Sequence, residues 1–275
     1  MKTWELKKRC KDYLEKLIRE IRKEKSNESI LQYLDFCSRF HGYSFRNTLL
    51  IWASKPDATY VAGFKAWQKM GRRIKKGEKG IAIFAPMKVK TATLDQEEEE
   101  EERIIYKVVY VWDVSQTEGK PLPKAPDTLS VEGEISGLLP VLEEVTRAFG
   151  IKLEYVKSLQ QGYGVSKMGC IQVLEDLRDE EKFSLLAHEL SHELLHGIQE
   201  RMNLSRKVKE LEAEAAAYIV CRHFRLKPKS PTYLVLYRVE EVDIKNSLER
   251  ILSTGSRIIQ SIINKRAKNK IAKAA

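Results

Sequence analysis

The chain is poor in the residues that build covalent or membrane frameworks. Four cysteines occur in 275 residues, Cys10, Cys37, Cys170 and Cys221, far apart and with no C-x-x-C pair. This excludes a disulfide-framed secreted scaffold and a cysteine-based zinc ribbon, and fits reduced thiols. No run of about 18 apolar residues exists, so no membrane-spanning helix and no membrane partner are expected. The first 25 residues are charged throughout and lack the apolar centre of a secretory leader. A cytosolic protein is the resulting expectation. Histidine is also scarce: there are five, and three of them fall between His188 and His196.

Charge is abundant and unevenly spread. The net charge is +10 and the pI about 9.3. Residues 1–125 hold 26 Lys+Arg against 18 Asp+Glu, residues 126–243 hold 15 against 20, and residues 244–275 hold 8 against 1. An acidic segment therefore lies between a basic front and a basic tail. A basic front points to a polyanion, most often nucleic acid, although a well-solvated surface gives the same count.

With 43% hydrophobic residues the chain can bury a core. Trp4, Leu6, Tyr13, Leu14, Leu17, Ile18 and Ile21 recur at helical spacing and predict a first helix. Helices follow through "SILQYLDFCSRF" and "SFRNTLLIWASK", the second stopped by Pro56. "KGEKGIAIFAPMKVKTATL" and "RIIYKVVYVWDVSQT" read as the two β-rich arms of a hairpin. The glutamates at 97–102 repel one another and belong in its loop. The proline-rich "GKPLPKAPDTLSVEGE" reads as a linker, with a domain boundary near residue 125. Beyond it come a helix with Pro140 inside, hence kinked, short strands in "IKLEYV" and "GVSKMGCIQVLED", and a strongly helical remainder.

"HELSHELLH" contains His188-Glu189-Leu190-Ser191-His192, an H-E-x-x-H among helix formers, with Gly197 as a stop. Residues four apart share a helix face about 6 Å apart along the axis, so both imidazoles can reach one Zn2+. Glu189, one position on, can take a proton from an attacking water and pass it to a leaving amine. His196 shares the face but lies about 12 Å from His188 on a continuous helix. That makes it a surface residue or a support for the ligands rather than a ligand. A third ligand must come from "KVKELEAEAAAYIVCRHF", a helix with an alanine-rich face that allows close packing. Glu212 and the Ala215 that follows resemble the glutamate pattern of thermolysin-like peptidases, so Glu212 is the favoured ligand. Glu210 and Glu214 are its rivals; Glu214, two positions along the helix, points elsewhere if Glu212 faces the metal. In such sites an edge strand before the helix pairs with extended substrate, and "GVSKMGCIQVLED" stands at that place. Cys170 on it reads as a small packed thiol.

The front interleaves Tyr43, Phe45, Trp52, Tyr60, Phe64 and Trp67 with cations. Single-stranded nucleic acid needs a cationic track and flat rings on which bases stack. The candidate contacts are Arg46, Trp52, Lys65, Trp67, Lys69, Arg72, Arg73, Lys75, Lys76 and Lys79. Phe64 and Trp67 are equally good core residues. In the tail, Ile251, Ile258, Ile259, Ile262 and Ile263 form a helical stripe. It suits either packing on the second domain or an added phosphate contact.

"YSFRNTLLIWASKPDATYVAGFKAWQKMGRRIKKGEKGIAIFAP" and "VWDVSQTEGKPLP" resemble the N-terminal domain of ArdC-type antirestriction proteins. "GYGVSKMGCIQVLED", "HELSHELLHG" and "ELEAEAAAYIV" are similar to the ImmA/IrrE-like metallopeptidase domain of the same family. The resemblance spans roughly residues 28 to 225. It implies single-stranded-DNA binding by the front, and Zn2+ at His188, His192 and Glu212 with Glu189 as base. The six-glutamate loop and the basic tail depart from it. The expected fold is α+β. Residues 1–125 would form helices with a small curled antiparallel sheet, and residues 126–275 a mainly helical zincin-like domain with a short sheet and a basic C-terminal helix. The expected function is a DNA-binding zinc endopeptidase that cleaves a DNA-associated protein such as a repressor. The alternative is a non-catalytic protein that shields entering single strands, its zinc structural. No paired-metal carboxylate cluster favours a nuclease.

Overall fold

The structure is a computed structural model that describes residues 1–23, 28–90, 102–121, 137–160, 162–226 and 244–274. The six-glutamate run, but for its last residue, and most of the expected linker lie outside the described residues. Two compact units form. One comprises Met1–Leu17 and Arg46–Pro123, the other Ile18–Phe45 and Lys124–Ala275. Residues 18–45 join the second unit because α2 (Glu28–Arg39) packs on α8 (Arg206–His223). Its buried Ile30, Tyr33, Leu34, Phe36 and Cys37 find partners almost 200 residues away in sequence, and Arg222 donates to Asp35 at 2.6 Å beside them. No local pattern announces such a contact.

In the first unit, α1 (Thr3–Lys23) begins with Leu6, Cys10, Leu14 and Leu17 buried at steps of three and four, while Trp4 is exposed. α3 (Phe45–Ser54) ends before Pro56, as its sequence requires. β1 (Val61–Gly63), β4 (Glu102–Asp113) and β3 (Ile81–Lys90) form an antiparallel sheet in the order β1-β4-β3. The β3–β4 hairpin, paired from Ile81↔Val111 to Lys90↔Glu102, is the one the sequence predicts. Its arms are tied in by two side chains. The Asn47 amide exchanges two hydrogen bonds with the Phe84 backbone, at 2.8 and 2.9 Å, in the manner of a neighbouring strand. Asp113, buried at the end of β4, accepts from the backbone of Thr59, Tyr60 and Ser115. Burial works against its charge, but these donors prevail and hold its carboxyl below the usual range.

Four short elements escape the sequence reading: β1, α4 (Phe64–Lys69), β2 (Arg72–Ile74) and β5 (Thr117–Gly119). β2 and β5 pair antiparallel with Arg72 opposite Gly119. Gly119 has φ +130°, and a Cβ there would lie 2.5 Å from the Gly71 carbonyl, so the pairing requires glycine.

In the second unit, α5 (Leu139–Ala148) holds Pro140 in its first turn, where a missing N–H is harmless. The expected kink is thus replaced by a helix start. β6 (Lys152–Val156), β7 (Gly164–Ser166) and β8 (Cys170–Leu174) make a sheet ordered β6-β8-β7. β8 is central, parallel to β6 and antiparallel to β7. α6 (Asp179–Leu195), α7 (Ile198–Asn203), α8 and α9 (Ile244–Ala274) complete the unit. α9 packs on α8, α5 and α6. Ile251, Ile258, Ile259 and Ile262 are buried, each worth about 1.5–3 kcal/mol relative to exposure. Of the two readings of the tail stripe, packing is the one observed.

Candidate metal centre and nucleic-acid interface

α6 carries the H-E-x-x-H. Asp179, Glu180 and Glu181 fill its first turn, where carboxylates complement the helix dipole. Its buried face, with Phe183, Leu186, Ala187 and Leu190, seats it against α8 and the β6–β8–β7 sheet. β7 lies so close that a Cβ at Gly164 would come within 3.0 Å of three Leu185 carbons. The spacing does what helical geometry demands: Nε2 of His188 and Nε2 of His192 lie 3.1 Å apart.

The third side chain to join them is Glu210. Its Oε2 lies 3.4 Å from Nε2 of His188 and 3.5 Å from Nε2 of His192. Three donor atoms at 3.1, 3.4 and 3.5 Å form a nearly equilateral triangle. The edge of a tetrahedron around an ion with bonds of about 2.1 Å is about 3.4 Å. Two imidazoles and one carboxylate are also the donor types of such a site, so the residues present fit a divalent ion. They are the one such group of three among the described residues.

The geometry departs from the expected ligand set at one position. Glu212 does not face His188 and His192. Its Oε2 is 3.0 Å from Nε2 of His196 and 3.3 Å from Arg250, and it is 3% exposed. Residues two apart on a helix diverge by about 200°. That rule, which sets Glu214 apart from Glu212, equally sets Glu210 apart from it and puts Glu210 and Glu214 on one face. The alanines that make Glu212 look like a ligand belong to the buried face of α8.

Glu189 is buried beside the pair. Burial pushes its carboxyl up to about 7; the Glu210 and Glu193 charges add to this, and His188 and Arg201 oppose it. Burial alone would lower His188, but its contact with Glu210 and the carboxylates of Glu189 and Glu214 leave it raised. His192 goes the other way, lowered by burial and by the neighbouring His188 and His196 rings, against Glu210. Glu210 is held far below its ordinary range by the two imidazoles.

Two further features frame the site. Glu193 receives the hydroxyl of Ser166, the backbone N–H of Gly169 at 2.6 Å and Arg201 at 3.0 Å, which pins the β7–β8 turn to α6. A cavity of about 470 Å3 opens beside His188. Tyr163, Leu185, Glu214 and Tyr218 are among the residues lining it. Among the described residues β8 is central and β7 is an edge strand of this sheet, and Tyr163 immediately precedes β7. Cys170 is half-buried on β8, away from the edge.

In the first unit the expected nucleic-acid contacts separate into two groups. Trp67 is 0% exposed and donates Nε1–H to the Trp112 carbonyl, so it is core and cannot stack on a base. Arg72 lies 5.9 Å from the Trp67 ring and donates to the Thr117 hydroxyl and carbonyl at 2.8 and 3.0 Å. It is committed to the β2–β5 pairing. Trp52 is half-buried. Lys75 reaches the Ser115 carbonyl, and Arg73 pairs with Glu118 while staying largely exposed. Arg46, Lys65, Lys69, Lys76 and Lys79 are exposed. The exposed rings are Trp4 on α1, Tyr60 and Phe64, with Tyr106 and Tyr110 on β4. The last two escape a sequence reading in which their strand is simply hydrophobic; alternation along β4, with 104, 106, 108 and 110 on one face, is the signal that finds them.

Comparison with known proteins adds the family context. Residues 7–112 match the model of the N-terminal domain of the anti-restriction factor ArdC. The uncharacterized protein pXO2-81 of Bacillus anthracis is 25% identical over 95% of this chain, which spans about half (52%) of that relative's length. The metal-free crystal structure of antirestriction protein ArdC from plasmid R388 aligns over 82% of this chain and 86% of its own, with TM-score 0.50 and 17% identity. Its Mn(II)-bound form aligns over 85% and 97%, with TM-score 0.46 and 16% identity. Residues 7–112 thus form an ArdC-type N-terminal domain, within a chain that shares the mixed α+β fold of ArdC.

Proposed function

We propose that this chain is an ArdC-type antirestriction protein, with a first unit that binds single-stranded DNA and a second that is a zinc-dependent endopeptidase of the ImmA/IrrE kind. The observation that carries the catalytic half is the triangle of His188, His192 and Glu210 with a buried Glu189 beside it. A divalent ion held there supplies Lewis acidity toward a carbonyl oxygen and an attacking water. Glu189, whose burial makes it a competent base near neutral pH, takes the proton from that water and returns it to the leaving amine. Residues of β7 offer an open edge to extended substrate, and the cavity beside His188 receives a substrate side chain. The substrate is a DNA-associated protein, as a repressor is, brought near by the DNA the first unit holds. Exposed Lys65, Lys69, Arg73, Lys76 and Lys79 serve the phosphates, and Tyr60 and Phe64 the bases.

The test pairs wild type with Glu189→Gln, both loaded with Zn2+. Repressors and single-strand-binding proteins of the host are incubated with each, with and without single-stranded DNA. The reading requires fragments from at least one protein with wild type and none with Glu189→Gln. The second reading, a DNA-shielding protein without catalysis, is favoured by the family match, which covers residues 7–112 and leaves the candidate metal centre outside it. Equal nuclease protection by both proteins, with no cleavage by either, would decide for it.

A further inference from the structure

On the side away from Glu210, the His192 ring meets a second histidine. Nδ1 of His192 lies 3.1 Å from Nδ1 of His196. Nε2 of His196 lies 3.0 Å from Oε2 of Glu212. The same oxygen is 3.3 Å from Arg250, whose guanidinium also donates to the Leu195 carbonyl at 2.6 Å. His196 and Glu212 are 1% and 3% exposed. Polar groups this deep are expensive to bury unless each is satisfied, and here the end of α6, the middle of α8 and the start of α9 converge to satisfy them.

We infer that His196, Glu212 and Arg250 are a positioning relay that fixes the tautomer and ring orientation of His192. The inference rests on the metal-centre reading above. Counting donors assigns the protons. Arg250 has no acceptor and ion-pairs with Oε2 of Glu212, so that oxygen is an acceptor and takes Nε2–H of His196. Nδ1 of His196 is then an acceptor and takes Nδ1–H of His192. Nε2 of His192 keeps its lone pair, aimed at the space it shares with Nε2 of His188 and Oε2 of Glu210. The opposite assignment would put a proton on that nitrogen and block an ion. In most metal sites a carboxylate or carbonyl meets the second nitrogen of a histidine ligand directly; here a histidine stands between.

His196 can play this part because of where the helix stops. It is the C-cap of α6, with φ −120° and ψ 77°, and its N–H still bonds the His192 carbonyl at 3.0 Å. Off the helical track, its ring folds back over the preceding turn. The relay also gives α9 a task beyond packing: its first turns carry the arginine that completes the network.

The test uses the full chain. Zn2+ affinity is measured by competition with a chromophoric chelator, the ligand field by absorption of the Co2+-loaded protein, and folding by thermal unfolding of the metal-free protein. His196→Phe and Glu212→Leu should weaken Zn2+ binding about 10–100-fold and shift the Co2+ bands. His196→Asn, whose side-chain oxygen falls near the position of the missing Nδ1, should recover most of the affinity. His188→Ala, which removes a ligand outright, should bind far more weakly than any of them. If folded His196→Phe and Glu212→Leu bind like wild type while His188→Ala does not, the relay is overturned and the metal centre stands. An asparagine no better than phenylalanine overturns the acceptor role of His196, and with it the relay. If wild type binds Zn2+ no better than His188→Ala, both readings fall. Should His196→Phe not fold, Glu212→Leu and His196→Asn carry the decision.

Discussion

In the second unit the polar side chains of the candidate centre interlock. His188, His192 and Glu210 face one another, and His196, Glu212 and Arg250 lie behind them. In the first unit the cations of the candidate DNA face reach outward, and among the described residues Lys65, Lys69, Lys76 and Lys79 have no ion-pair partner. The contrast follows from what each ligand demands. A small ion needs several donors within a few ångströms, which only buried, rigid side chains can guarantee. A polyanion needs summed charge, which mobile surface lysines supply without fixed geometry. The first kind of site is broken by single substitutions; the second is worn down by degrees.

The sharpest way to break the comparison is to remove one member of the centre. His192→Ala should weaken Zn2+ binding by more than the roughly 100-fold that removal of a supporting residue costs, while leaving single-strand affinity unchanged, as read by chelator competition and fluorescence anisotropy in parallel. A parallel fall in DNA affinity would show that the two functions are not separate.

A large effect of another kind is expected at Asp113, which joins the β4 end to the Thr59–Tyr60 segment. Asp113→Ala leaves three backbone donors unsatisfied. It should lower the stability of the first unit by about 2–4 kcal/mol in a urea titration, without altering Zn2+ affinity.

A smaller effect follows from His41, which packs edge-on against His223 at 4.5 Å in the second unit. Burial, helped by His223, pushes His41 down to about 4 from 6.5. Between these values the unfolded chain binds a proton that the folded one refuses. The associated stability is therefore complete above about pH 6.5 and is lost as the pH falls toward 4. Thermal melts of the second unit across this window should show a decline that His41→Phe flattens; an unchanged slope would mean that other groups govern it.

The smallest effects belong to the surface. Replacing Lys76 and Lys79 with Glu should weaken single-strand binding at low salt and reduce the salt slope by about 0.7 for each phosphate no longer neutralised. Arg72→Glu should instead loosen the β2–β5 pairing, detectable by faster amide exchange there. If Lys76 and Lys79 change nothing, the DNA face lies elsewhere, and Tyr106 and Tyr110 on β4 become the next candidates.

The same contrast governs how much the amino-acid sequence discloses. The hairpin arms, the three front helices and the H-E-x-x-H helix are legible because each depends on local spacing. Glu212 looks a better ligand than Glu210 in one dimension because its sequence neighbours, the alanines, pass for neighbours of the metal; on the helix those alanines face inward and Glu210 faces the histidines. Trp67 and Arg72 look like a DNA-binding pair in the same way, but their partners, the Trp112 and Thr117 carbonyls, lie some 45 residues on. The place of residues 18–45 in the second unit has the same origin, a contact between α2 and α8 that no window of sequence contains.

The central claim is that one divalent ion sits among His188, His192 and Glu210. Anomalous diffraction at the zinc edge from crystals of the Zn2+-loaded protein tests it most directly. The account predicts a single strong peak at about 2.1 Å from Nε2 of His188, Nε2 of His192 and a carboxylate oxygen of Glu210, with Glu212 outside bonding distance and still on His196. A peak bonded to Glu212 in place of Glu210, or no peak between the two histidines, would contradict it.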